Sequence, residues 1–310
     1  MAPTPPLANR NFVASSSAMP AHRFTRFAAI DWSGAKGTRH KGIAVAICDL
    51  GDAPPLLIEG DTPWSRTDVL DWTLATAAAA PTLFGFDLSG AFAFVDREAY
   101  FPGWNASPPD VRALWRLVEA HCAEESDLGA SNFVDHAEAS RHFRRHGGRC
   151  GDLFQPGAGR MRVVEEEERR LGLCNPVSNF NLVGAAQVGK SSLTGMRLFL
   201  RLDPHLPIWP FDPLPASGSV VVEIYTSIAA AAAGLPRGRT KVRDPETLDL
   251  ALARLGSRPH RPLGRYDDHA TDAILSSAWL RDVADRQDFW SPPLLTPEIA
   301  MTEGWTFGVP

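Results

Sequence analysis

The chain has no run approaching about eighteen uninterrupted apolar residues, so it offers no transmembrane helix. Cysteine is scarce: Cys48, Cys122, Cys150 and Cys174 are the only four in 310 residues. None forms a Cys-x-x-Cys pair, and no His-x-x-x-His partner stands near them, which argues against a structural zinc site. Thiols this sparse and scattered fit a reducing cytoplasm rather than a disulfide framework. Positive charge is not in excess either. Against 36 Asp and Glu there are 31 Lys and Arg, a formal charge of −5. That excludes a whole-protein electrostatic grip on nucleic acid and leaves only a local basic face. No repeat of solenoid length recurs. The first twenty residues are rich in Pro, Ala and Ser and lack the unbroken apolar centre of a signal peptide, so residues 1–23 are expected to form a disordered leader.

What is present is an average globular composition, 44% hydrophobic and 22% charged, in a length that suits two domains or one domain with a large insertion. The ordered chain opens with an apolar run, Phe27-Ala28-Ala29-Ile30, that ends on Asp31. A Gly-rich turn leads to a second run over Gly42–Cys48, and Leu56–Glu59 reads as a third strand. Turns this short between strands imply an antiparallel meander. Apolar residues at helical spacing (Val69, Leu70, Trp72, Leu74) then predict a helix stopped by Pro81. A buried strand over Thr82–Phe86 follows and ends on Asp87. From about Gly90 to Ser217 the pattern is irregular and helix-rich, with a charged segment over Val163–Leu171 and a Pro-rich loop from Pro204 to Pro215. A strand resumes at Val220–Tyr225. Helical patterns cover Ser227–Ala233, Glu246–Leu255 and Asp267–Ala284. The expected architecture is one α/β domain over 24–90 and 218–310, interrupted by a mostly helical and looped insertion at 91–217.

Acids stand at the ends of the apolar strands: Asp31, Asp87 and Glu223. Asp268 and Asp272, four apart, share one face of the last long helix. Strand ends form the rim of an α/β sheet, where such proteins build their sites. Carboxylates gathered there repel one another unless cations lie between them, and hard divalent ions, Mg²⁺ or Mn²⁺, are the natural partners of an all-oxygen set. His269 adjoins these acids, about 100° around the helix from Asp268, and is a candidate for proton transfer.

Four stretches together resemble domain-of-unknown-function family 429, a group of predicted nucleases of the ribonuclease H-like fold. They are AAIDWSGA at 28–35, FGFDLSGAF at 84–92, VVEIYTS at 221–227 and YDDHATDAILSSAWL at 266–280. The tail EGWTFGV at 303–309 and QVGKSSLTG at 187–195 are similar to that family as well. The resemblance implies a ribonuclease H-like mixed sheet flanked by helices. It also implies a metal-binding cluster of Asp31, Asp87, Glu223 and Asp272, with Asp268 or its neighbour Asp267 beside it. The implied activity is two-metal hydrolysis of phosphodiester bonds, with nucleic acid as the partner.

Other readings stay open. Gly184-Ala185-Ala186-Gln187-Val188-Gly189-Lys190-Ser191 matches the phosphate-cradling loop of P-loop NTPases. Its lead-in holds Asn179 and Asn181, which suit a loop better than a central strand. A Gly-rich loop at a helix start, lining the cleft, is the plainer role, with Lys190 and Ser191 as candidate phosphate contacts. Asp31-Trp32-Ser33-Gly34 and Asp87-Leu88-Ser89-Gly90 are similar to the two phosphate loops of actin-like and sugar-kinase ATPases. A non-catalytic binding module of the same fold is a further alternative. Basic residues gather from Arg237 to Arg265, and Arg258 and Arg261 among them are candidates to track a phosphate backbone. Trp104, Trp115, Trp209 and Tyr225 could stack on bases, but nothing in their spacing separates that role from core packing.

Overall fold

A computed structural model of the chain describes residues 22–157, 159–183, 188–236 and 241–310. The expected leader lies outside these residues, apart from His22 and Arg23. In chain order the elements are β1 (Arg26–Asp31), β2 (Ala44–Asp49), β3 (Leu56–Leu57), α1 (Arg66–Ala79) and β4 (Thr82–Asp87). There follow α2 (Val111–Cys122), α3 (Ser131–Val134), α4 (Val163–Arg170), α5 (Val188–Leu202) and β5 (Ile208–Trp209). The chain continues through β6 (Val220–Glu223), α6 (Thr226–Ala232), α7 (Pro245–Arg254), α8 (Asp268–Val283), α9 (Gln287–Trp290) and α10 (Pro297–Thr302).

The result is an α/β fold on one mixed sheet, with strand order β3-β2-β1-β4-β6-β5. β1, β2 and β3 form the expected antiparallel meander. β4 pairs parallel with β1, β6 parallel with β4, and β5 parallel with β6. β1 and β4 are central and covered on both faces, so their sequences are almost continuously apolar instead of alternating. Their side chains still divide by parity. Phe27, Ala29, Leu83, Val220 and Val222 enter one core with the inner faces of α6, α7 and α8 and the tail residues Trp305 and Phe307. Ala28, Ile30, Phe84, Phe86 and Val221 enter the other, with Val69 of α1, Trp115 of α2 and Met196 and Phe199 of α5. Much of that second core comes from between residues 91 and 217, which pack directly on the sheet.

Local chemistry explains where the main elements start. Ser65 and Asp68 close a reciprocal capping box at the head of α1. Asp267 caps α8 by accepting from the Ala270 N–H at 3.0 Å. α8 is buried on nearly every side, and its small residues let it lie flat on the sheet. Ser277 is buried there and donates to the Phe27 carbonyl at 2.8 Å, which satisfies its hydroxyl. Two sequence expectations need correction. The third strand is only Leu56–Leu57, because as an edge strand it has β2 alone to pair with. The Pro-rich stretch 204–215 is not all loop, since Ile208 and Trp209 pair beside β6 as an opposite, equally short edge.

The tightest helix–sheet approach is at Gly85 of β4, where a Cβ would stand 2.8 Å from side-chain carbons of both Ile224 and Leu280. Gly85→Val is expected to destabilise the fold by about 1–3 kcal/mol through overpacking. Urea unfolding should show it as a lower midpoint with an unchanged slope.

Candidate active site at the carboxyl ends of the parallel strands

β1 and β4 run parallel in a register that pairs Asp31 with Asp87. Both carboxylates therefore emerge at the same rim of the sheet, directly from the ends of buried apolar strands. The first turns of α8 cross this rim. They bring His269 Nδ1 to 3.1 Å from Asp31 Oδ2 and hold Asp272 close enough for its charge to act on Asp87. Gly42, in the turn before β2, makes room for the histidine: a Cβ there would lie 3.4 Å from the imidazole ring. Asp87 and His269 border a cleft of about 350 Å³, lined also by Trp32, Ser33, Ser89, Tyr225 and Ser191; Asp31 and Asp272 stand behind them.

The electrostatics of the three aspartates share one cause. Burial disfavours each charge, and the neighbouring carboxylates add to the effect. Asp87 is held well above the usual carboxylate range, first by burial and then by Asp31; hydrogen bonds from the Thr226 backbone and hydroxyl, both 3.3 Å, act against this. Asp272 is pushed up to about 7 by burial, then by Asp31 and Asp268. Asp31 is raised by burial, with the hydrogen bond to His269 pulling the other way. That same hydrogen bond is the main cause of the raised His269 pKa. Among the described residues, His269 is the only cationic side chain in hydrogen-bond contact with these three acids.

The other expected acids are committed elsewhere. Glu223 ends β6 and borders the same cleft, but Arg162 grips both of its oxygens, and Gly90 N–H (2.9 Å) and Thr306 Oγ1 (3.0 Å) donate to it as well. Asp268 forms ion pairs with Lys241 and Arg243, and Asp267 is the helix cap. The structure thus brings together Asp31, Asp87, Asp272 and His269, and gives the nearby Glu223 and Asp268 cationic partners of their own. Among the described residues no three His, Cys, Asp or Glu side chains stand as a group ready to hold a metal ion. The donor chemistry of the three aspartates nonetheless suits a hard divalent cation.

Arg162 is the residue that sequence reasoning missed. It is 1% exposed and also donates to Glu165 (3.0 Å), the Ser89 hydroxyl (3.1 Å) and the Glu303 carbonyl (3.0 Å). Beside it Glu168 is buried and pushed up to about 7, mainly by burial and then by Glu165. The available signal was the pair Val163-Val164 ahead of Glu165 and Glu168, two acids three apart on one helix face.

The P-loop-like motif has its first four residues, Gly184 to Gln187, outside the described residues. Leu182 and Val183 belong to no strand, while Lys190 and Ser191 lie in the first turn of α5. Ser191 borders the cleft, in keeping with the plainer expectation of a helix start beside the site. In the basic run, Arg237 and Arg239 are outside the described residues and Lys241 and Arg243 serve Asp268. Arg258 pairs with Asp52 at 3.0 Å and Arg261 is exposed; neither borders the cleft. Of the four aromatics singled out, Trp115 and Trp209 are core and Trp104 stacks on His136. Tyr225 alone among them reaches the cleft.

Two outcomes follow. Arg162→Met leaves Glu223 and Glu165 as buried, unpaired charges and should cost about 3–5 kcal/mol in chemical denaturation. For Asp272, an unfolded pKa near 4 and a folded one of about 7 mean that the native state holds the extra proton between those values. In metal-free buffer its contribution is therefore present below about pH 4 and is lost as pH rises through 7. Asp272→Asn should flatten that fall in stability, by a few kcal/mol at most, in melts recorded from pH 4 to 8.

No protein-family model, curated protein or solved structure matches the chain.

Proposed function

We propose that the chain is a metal-dependent hydrolase of phosphodiester bonds in nucleic acid, built on a ribonuclease H-like core. The observation that carries this reading is the in-register pair Asp31 and Asp87, joined at one rim by Asp272 from a helix, with a single histidine against them. The antiparallel meander continued by parallel strands supports the fold assignment, as do the family-like stretches around the ends of β1, β4 and β6.

In this reading Asp31, Asp87 and Asp272 hold Mg²⁺ or Mn²⁺. Bound there, such an ion supplies charge stabilisation to a transferring phosphoryl group. The chain's own groups do the rest. Asp31 orients the His269 ring and keeps it protonated to higher pH, so that Nε2 can hold or deliver a proton at the leaving oxygen. Ser33 and Ser89, on the turns that follow β1 and β4, offer hydroxyls to phosphate oxygens. Arg162 offsets part of the charge of Glu223 and Glu165, which would otherwise repel a polyanion more strongly from that side of the cleft.

One observation favours a second reading. The turns Asp31-Trp32-Ser33-Gly34 and Asp87-Leu88-Ser89-Gly90 leave adjacent parallel strands and border one cleft, an arrangement that would also suit phosphoryl transfer from ATP. The two readings part in one assay. Single-stranded, duplex, hybrid and branched substrates are incubated with Mg²⁺ or Mn²⁺, beside an ATPase measurement. Hydrolysis of at least one nucleic acid is expected, abolished by Asp31→Asn or Asp87→Asn and lowered about 10²-fold by His269→Ala. Calorimetric titration with Mn²⁺ should show binding weakened by Asp31→Asn and Asp272→Asn. Turnover of ATP alone, or Mn²⁺ binding indifferent to both variants, would overturn the proposal.

A further inference from the structure

The turn after β1 separates two spaces. Gly34 and Ala35 line the acidic cleft on one side and a second pocket, of about 470 Å³, on the other. The wall between them is tightly seated. A Cβ on Gly34 would lie 2.3 Å from the Ser191 backbone nitrogen and 2.4 Å from the Lys190 carbonyl carbon, so only glycine lets the turn sit on the first turn of α5. That contact places Lys36 beside Lys190 at the mouth of the second pocket. The two ammonium groups feel each other: Lys190 is lowered by burial and then by the Lys36 charge.

The far wall adds more positive charge. Arg145 and Arg149 both reach the single carboxylate of Asp135, at 3.0 and 3.5 Å, so two guanidinium groups share one acid. Glu125, also in the lining, is already committed to the backbone N–H groups of Ser131 and Asn132, at 2.9 and 2.5 Å. With Arg66 counted, five lysines and arginines in the lining stand against three acids, Glu124, Glu125 and Asp135, whereas the space across the Gly34 turn is rich in carboxylates.

We propose that this second pocket is a phosphate subsite, which holds the backbone of a single nucleic-acid strand a short way from the bond that reacts at Asp31 and Asp87. The assignment rests on the nuclease reading of the neighbouring cleft and extends it. A polyanion can span the Gly34 turn, with its reacting phosphate at the acidic rim and a flanking one between Lys36, Lys190 and Arg149. A mononucleotide can occupy only one of the two spaces.

Anisotropy of a fluorescein-labelled 12-nucleotide single strand, as DNA and as RNA, measured in EDTA across a salt series, isolates this pocket from the metal-dependent site. Lys36 and Arg149 are exposed, so Lys36→Gln/Arg149→Gln is expected to stay folded, with a melt to confirm it. Binding should weaken, and its log–log salt slope should flatten by about 0.7 for each phosphate contact removed. Lys190→Gln should weaken binding further. Affinity and slope unchanged in the double variant would overturn the subsite. So would inorganic phosphate or a mononucleotide competing as well, mole for mole, as an unlabelled 12-mer. If no substrate is cleaved while the strand still binds through Lys36 and Arg149, the hydrolase reading falls and the subsite stands. Cleavage intact with binding indifferent to these residues gives the reverse result.

Discussion

The parallel pairing of β1 with β4, in the register that sets Asp31 opposite Asp87, is the constraint on which this rim depends. Six paired residues on each strand fix where the two chains leave the sheet, and both leave on an aspartate. Because these are the central strands, the carboxylates inherit the burial of the residues before them. A one-residue slip would turn each aspartate to the opposite face of the sheet and exchange the two apolar sets that the flanking helices require. The register that builds the core therefore also positions the acids, and neither can be altered alone.

Burying like charges side by side is costly, and the two halves of the rim meet that cost differently. Around β6 the cost is met within the protein: Arg162 occupies both oxygens of Glu223 and one of Glu165 and leaves little unsatisfied. At β1 and β4 no guanidinium or ammonium among the described residues hydrogen-bonds the aspartates. Asp31 has a histidine, Asp87 has neutral donors from Thr226, and Asp272 has no hydrogen-bond donor among the described residues. Burial raises the three aspartates as it raises Glu165 and Glu168 beside Arg162; the halves differ in their hydrogen-bond partners. A group meant only to hold the fold together would be paired, as Glu223 is. Three groups left to repel one another mark a place where charge is to be provided from outside.

How much of this was legible in the sequence follows from the kind of pattern each residue sits in. Asp31, Asp87 and Glu223 could be read because each terminates an unbroken apolar run, which locates a strand end without any tertiary knowledge. The meander could be read from its short turns, and Asp272 from its place one turn beyond Asp268. Whether Asp268 or Asp267 stands beside the cluster could not be read, since it turns on the cap that Asp267 makes and on Lys241 and Arg243, brought to Asp268 from the loop before α7. Arg162 and Glu165 were hidden for the opposite reason. They lie within Arg162-Val163-Val164-Glu165-Glu166-Glu167-Glu168-Arg169-Arg170, and a charge run of that kind ordinarily marks a solvated helix face. Here buried acids find a buried guanidinium. The two-residue β5 was hidden by its prolines: Trp209 pairs beside β6 although Pro207 and Pro210 flank its strand.

Glu223 shows how charge placement and chemistry divide on one rim. As a free carboxylate it would add a fourth negative charge to the cleft and deepen the repulsion felt by any phosphate entering there. Arg162 counters that charge, and the Glu223 backbone carbonyl accepts the Phe307 N–H at 2.9 Å, anchoring the C-terminal tail against β6. The same arginine donates to Ser89 on the turn after β4 and to the Glu303 carbonyl. One buried cation thus ties together the end of β6, the turn beyond Asp87 and the tail. Asp31 and Asp87 opposite are positioned by the ends of β1 and β4, and Asp272 by α8. Fixed by strand ends and a buried helix, with a histidine as their one ionisable partner among the described residues, they form a site preorganised for a cation.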